Sequence, residues 1–224
     1  MLTDIKKYVL GCKQCQITKT DRQIKQNPLH PNKVPQHPWD IISLDLVGPL
    51  PISEGYDGVL VVVDRFPKIT CYIPVTMNIT SKEVAKNLWE QVFKDTGLPR
   101  KVISDRGPQF VSNFMKELCN QLGVERNPST AYHPQKDGQT ERVNQEMEQY
   151  LRLYISYQQD DWAEWLPMAE FAHNNRQHSS TGKSPFFVNL GRHPNIHGEG
   201  EKSTGRVPEV DKFVQKQQGK LKGP

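Results

Sequence analysis

Three apolar runs stand close together in this 224-residue chain: Ile41-Ile42-Ser43-Leu44-Asp45-Leu46, Val59-Leu60-Val61-Val62-Val63-Asp64, and Ile69 to Val75. Each has the length and bounding turn chemistry of a strand, with Gly48-Pro49-Leu50-Pro51 after the first and Arg65-Phe66-Pro67 after the second. A parallel crossover needs a dozen or more residues, and the link between the second and third runs has no room for one. An antiparallel three-strand meander is therefore expected. Beyond it the texture alternates. Thr80-Ser81-Lys82-Glu83 fits a capping box opening a helix, with Val84, Leu88, Val92 and Phe93 on its inner face and Gly97 and Pro99 at its end. Lys101 to Ser104 predicts a fourth strand, Phe110 to Leu122 a second helix, and the stretch around Val124 to Thr130 a fifth strand. Val143, Met147, Tyr150, Leu151 and Tyr154 have helical spacing, with Glu141 in the first turn of that helix. Another helix is expected from about Asp161 to Gln177, and a last short turn of helix from Ser184 to Leu190. The layout is α/β: a mixed five-stranded sheet, meander first and parallel crossovers afterwards, flanked by helices.

Composition sets outer bounds. The length suits one substantial core with appendages. No apolar run approaches the ~18 residues of a membrane span, so no membrane partner is expected. Four cysteines do not make a disulfide framework, which points to a reducing compartment. Three segments are expected: 1–38, a short helix from Asp4 to Leu10 with a Cys12-Lys-Gln-Cys15 turn and a proline-bearing linker; 39–195, the core; and 196–224, a polar basic tail. Residues 1–38 carry a net +5 and residues 201–224 a net +3, which leaves −4 for residues 39–200 out of the total of +4. Basic flanks could grip phosphate while an acidic centre holds cations, or both flanks are simply solvated.

Acidic residues interrupt elements that should be buried. Asp45 breaks the first strand, and an unpaired carboxylate there is costly unless it finds a partner or a metal. Asp105 follows the fourth strand, where a strand mouth offers a site to ligands. Taken singly, each acid has a structural explanation: Asp45 as a strand-edge residue, Asp105 as a turn residue, Glu141 as a first-turn helix residue favoured by the macrodipole. Together they can converge, because the first and fourth strands can be neighbours and the helix after the fifth can fold back across their ends. Three converging carboxylates repel unless protonated or neutralised by cations. Mg²⁺ suits such a set, and paired ions can clamp both oxygens of an in-line phosphoryl displacement with no protein nucleophile.

The stretches DIISLDLVGPLP, VISDRGPQFVSNF, STAYHPQKDGQTERVNQ and SPFFVNLGRHP together resemble the integrase of gypsy-like LTR retrotransposons, over about residues 5–195. The resemblance implies a ribonuclease H-like fold and a D-D-E metal triad that falls on Asp45, Asp105 and Glu141, with Mg²⁺ or Mn²⁺ as cofactor. It implies an integrase of the polynucleotidyl transferase type, which trims a DNA 3′ end and joins that end to target DNA in the nucleus, as a homo-oligomer. It makes Tyr132 to Gly138 an active-site loop and places Tyr132, Gln135, Lys136 and Asn144 near the DNA. Where retroviral integrases carry lysines one and two turns beyond the glutamate, this chain has Gln145 and Glu148. The alternative is a catalytically silent or domesticated relative that uses the same fold to bind nucleic acid or protein.

Cys12 and Cys15 supply two of the four ligands of a structural zinc site. The family places two histidines before such a pair, whereas His30 and His37 follow it here, so the site is expected to be incomplete and zinc is not expected to hold the chain together. His133 is expected near substrate, His173 in packing or capping, Trp162 and Trp165 in core packing or an interface, and Cys71 and Cys119 as buried, reduced thiols.

Overall fold

The computed structural model describes residues 2–11, 35–128 and 138–195. The chain divides into two compact units, Met1–Lys33 and Val34–Pro224. Within the first, Leu2–Gly11 forms helix α1, which contains the expected Asp4 to Leu10. Cys12, Cys15 and His30 lie outside the described residues, as do Tyr132, His133, Gln135, Lys136 and the tail from 196.

The second unit is built on a five-stranded sheet with strand order β3-β2-β1-β4-β5. The strands are β1 (Ile41–Val47), β2 (Gly58–Asp64), β3 (Thr70–Val75), β4 (Lys101–Ser104) and β5 (Glu125–Pro128). β1–β2 and β2–β3 pair antiparallel, as the short links demand. β1–β4 and β4–β5 pair parallel, with helix between β3 and β4 and between β4 and β5. The mixed sheet is thus the one read from the order of elements.

Side chains alternate across a strand, so β2 feeds two cores at once. Leu60 and Val62 join Ile42, Leu44, Ile73 and Val75 on one face. Helix α2 (Ser81–Leu88) covers that face with Val84 and Leu88, and runs on through a π turn (Trp89–Phe93) to Lys94–Thr96. Val59, Val61 and Val63 face the other way, under α5 (Gly138–Tyr154) and α6 (Trp162–Asn175), which contribute Val143, Met147, Leu151, Trp162 and Leu166. All seven residues of β2 are buried, as befits a strand covered on both sides.

The helix expected from Phe110 to Leu122 is two helices, α3 (Pro108–Val111) and α4 (Asn113–Gln121). Ser112 separates them: its backbone is extended (φ −56°, ψ 155°), and its hydroxyl accepts from Met115 N–H as the N-cap of α4. A last helix, α7 (Pro185–Leu190), is capped by Ser184, whose hydroxyl accepts from Phe187 N–H. No helix among the described residues is long and apolar enough to cross a membrane.

Candidate active site

The sheet itself brings the two aspartates together. Ile42 and Leu44 belong to the α2 face, so alternation turns Asp45 to the α5 face. β1 and β4 run parallel with Leu44 opposite Ser104. Asp45, within β1, and Asp105, just past the end of β4, each follow by one residue on neighbouring strands about 4.8 Å apart. Both are half-buried. Asp45 Oδ1 accepts from Leu46 N–H at 2.9 Å. Asp105 Oδ1 accepts from Gly107 N–H at 3.0 Å, which folds the segment after β4 back before Pro108 opens α3.

The third element is α5. Its apolar stripe of Val143, Met147 and Leu151 seats it on β2, and Thr140 is fully buried in the first turn. That seating brings Asn144 over β1, where its Nδ2 donates to Asp45 Oδ2 at 2.6 Å. Asn144 Oδ1 is buried and has no hydrogen-bond partner among the described residues. Only an amide with its NH₂ toward the carboxylate makes chemical sense, so the orphan is an acceptor. Glu141 is exposed and lies one turn before Asn144 on the same helix face.

Three carboxylates are therefore arrayed on one side of the sheet, two by strand register and one by helix phase. Among the described residues, no three His, Cys, Asp or Glu side chains are grouped so as to hold a metal ion, so the three acids are not drawn into one coordination set here. The donors are hard oxygens: those of Asp45 and Asp105 are part-exposed and held by neighbouring N–H groups, while Glu141 is exposed. This is a donor set of the kind that Mg²⁺ or Mn²⁺ takes. The apolar cavity of about 240 Å³ lined by Leu44, Leu88, Phe110 and Ser104 lies on the opposite sheet face and has no part in this chemistry.

His173 and the tryptophans pack as expected. Trp162 is buried and donates Nε1–H to Pro51 O at 2.6 Å, while Trp165 stacks on Tyr154. His173 faces Glu146 at 3.0 Å, and burial pushes its pKa down. Sequence reasoning did not find the bond from Asn144 to Asp45, although the three-residue step from Glu141 to Asn144 was a signal for a shared face. The cluster of Lys68, Arg142, Glu146 and His178 shows in the sequence only as the four-residue step from Arg142 to Glu146, and packing alone adds Lys68 and His178.

A family model described as the integrase core domain matches residues 35–134. The chain is 35% identical over 184 residues to the Transposon Tf2-3 and Tf2-4 polyproteins of Schizosaccharomyces pombe. That match covers 82% of this chain and 14% of each polyprotein, so the chain spans a small part of the relatives' length. Among solved structures, the HTLV-2 integrase catalytic core domain in complex with magnesium, in its trimeric form, superposes with a TM-score of 0.55 at 20% identity. It covers 68% of this chain and 97% of that one. The simian T-cell lymphotropic virus intasome in complex with PP2A regulatory subunit B56 gamma gives a TM-score of 0.60 at 18% identity, over 92% of this chain and 73% of the other. These likenesses show that the sheet and helices form the ribonuclease H-like fold.

Proposed function

The chain belongs to the integrase core family of LTR retrotransposons, and from that premise we propose that it processes DNA 3′ ends and joins them to target DNA, with Asp45, Asp105 and Glu141 as the metal-holding acids. The observation that carries this is that Asp45 and Asp105 each follow the register-matched pair Leu44 and Ser104 on two parallel strands, with Asn144 of the Glu141 helix bonded to Asp45.

Asp45 and Asp105 would hold Mg²⁺ or Mn²⁺, with Glu141 as the third donor. Such an ion, when bound, polarises the scissile phosphate and makes a water or a 3′-hydroxyl a better nucleophile. The remaining work falls to the chain. Leu46 N–H and Gly107 N–H each fix one carboxylate oxygen, and Asn144 fixes the second oxygen of Asp45, so little reorganisation is left for the reaction. In both steps an oxygen, of water or of the processed 3′ end, forms a bond to phosphorus and the P–O3′ bond of the attacked strand breaks. Asn144 Oδ1 is buried, so its part is to hold the amide against Asp45, and it would reach a DNA group only if the site opened around it. Tyr132, Gln135 and Lys136, with Asn144, are the proposed contacts to the DNA end. The joining of ends to target DNA proposed here would take place in the nucleus. The trimeric and intasome forms named for the neighbours support an assembly of several copies.

The metal assignment is tested by melting. With Mn²⁺ at about a hundred times its dissociation constant, the folded state should gain about 2.7 kcal/mol, a rise of roughly 5–10 °C for a chain of this size. Asp105→Asn should lose most of that rise. An equal rise in wild type and variant would remove Asp105 from the metal site.

A further inference from the structure

Across α5 from Asp45 lies a polar cavity of about 280 Å³, lined by Lys68, Arg142, Glu146, His173, His178 and Ser180. Arg142 and Glu146 are four residues apart and share a helix face, while Asn144 points about 200° away from both, toward Asp45. One helix thus separates two polar sites. The far wall is rigid: Asn174, beside His173, accepts from Thr70 N–H at 2.8 Å and donates to Thr70 O at 2.9 Å, which stitches α6 to β3.

The charges in this cavity do not balance. Lys68, Arg142 and two imidazoles line it with a single acid, Glu146, while Lys68 also donates to Arg65 O and feels the buried Asp64 behind it. Glu146 is already engaged, since Oε1 accepts from Arg176 at 2.6 Å and Oε2 faces His173 Nδ1 at 3.0 Å. A carboxylate on Nδ1 requires the proton there, which leaves Nε2 as the open position of the ring. The His173 side chain is only 6% exposed, and Nε2 makes no hydrogen bond, although the Lys68 backbone lies near enough to favour the protonated ring. Burial lowers the pKa of His178 first, and then Lys68, His173 and Arg142 lower it further against the pull of Glu146. A cavity lined by two basic side chains and two imidazoles, partly screened from water, is suited to an oxyanion.

We propose that this cavity is a phosphate-binding subsite, separate from the carboxylate site, that takes one backbone phosphate of bound DNA. The phosphate chemistry stands on the cavity alone, and DNA as its source rests on the function proposed above. An anion in the cavity favours protonated His173 and His178, with Lys68, Arg142 and Arg176 as the fixed cations and Glu146 as the opposing acid. Anion binding should therefore take up protons and tighten from pH 8 to pH 6.

The test measures binding of the full chain to a fluorescent duplex between about 50 and 200 mM salt. Each phosphate contact contributes about 0.9 to the salt slope, so Arg142→Gln should lose about 3.5-fold less affinity than wild type across that range. A double variant with Lys68→Gln should lose no more slope than Arg142→Gln, because both cations serve one phosphate. A doubled loss would mean two independent surface contacts and overturn the pocket. In a second arm, melting is followed with sulfate against chloride at matched ionic strength. A sulfate-dependent rise that Arg142→Gln abolishes, with the DNA slope unchanged, keeps the phosphate site and assigns it a free phosphate compound. No effect of Arg142→Gln in either arm refutes the proposal. Metal-dependent DNA cleavage is assayed in parallel: absent cleavage with the slope effect intact sinks the catalytic reading alone, and intact cleavage with neither effect sinks the subsite alone.

Discussion

Asp64 ends β2 with no exposed surface, and its two oxygens accept from Trp39 N–H and Phe66 N–H. Burial outweighs those two bonds and raises its pKa to about 6. The folded state then binds a proton that the unfolded state, at 3.8, has released. This contribution is complete below pH 3.8 and is lost as pH rises through 6, by about 1.4 kcal/mol between pH 5 and pH 8. His173, with its pKa lowered by burial, acts in the opposite sense as pH falls below 6.5. The difference between wild type and Asp64→Asn isolates the aspartate: the variant is less stable throughout, and the gap should narrow from pH 5 to pH 8. A gap that widens over that range would contradict the burial account. Asp45 was legible in the sequence because it interrupts an apolar run. Asp64 was not, because an aspartate closing such a run reads as an ordinary strand end, and its burial depends on Trp39, twenty-five residues away.

Local chemistry fixed most elements, and it failed where tertiary packing intervened. The capping box before α2 forms as read: Thr80 Oγ1 accepts from Glu83 N–H, and Glu83 Oε2 accepts from Thr80 N–H at 2.7 Å. Thr80→Ala should cost about 1 kcal/mol and lower the melting temperature by about 2–4 °C, whereas Thr80→Ser should be nearly silent. Equal losses in both would assign the effect to the threonine methyl and not to the cap. The π turn at Trp89–Phe93 was invisible, because one extra residue in a turn leaves the apolar stripe of Val84, Leu88 and Val92 intact. The break at Ser112 was equally hidden: serine is tolerated in a helix as well as at a cap, and the choice follows from Phe110 and Met115 both burying in the same core. The antiparallel pairing of β2 with β3 followed from their short link. That β1 and β4 could be neighbours was legible, while the phase of α5 that brings Asn144 onto Asp45 needed the packed structure.

At the scale of the whole molecule, charge separates the flanks from the centre, +5 and +3 against −4. Asp45, Asp105 and Glu141 make up three of the central charges, which divalent cations would neutralise when DNA is bound. The central claim is that these three acids serve phosphoryl transfer and not structure. The direct measurement offers the purified chain a labelled branched DNA that mimics a strand-transfer product, and follows strand release with Mn²⁺, with Mg²⁺ and with EDTA. The account predicts release with either metal, none in EDTA, and a loss of at least about 100-fold in Asp45→Asn, Asp105→Asn and Glu141→Gln variants that still melt cooperatively, the scale of removing one charge-stabilising group from an active site. Undiminished release in EDTA, or full activity in Asp105→Asn, would contradict it.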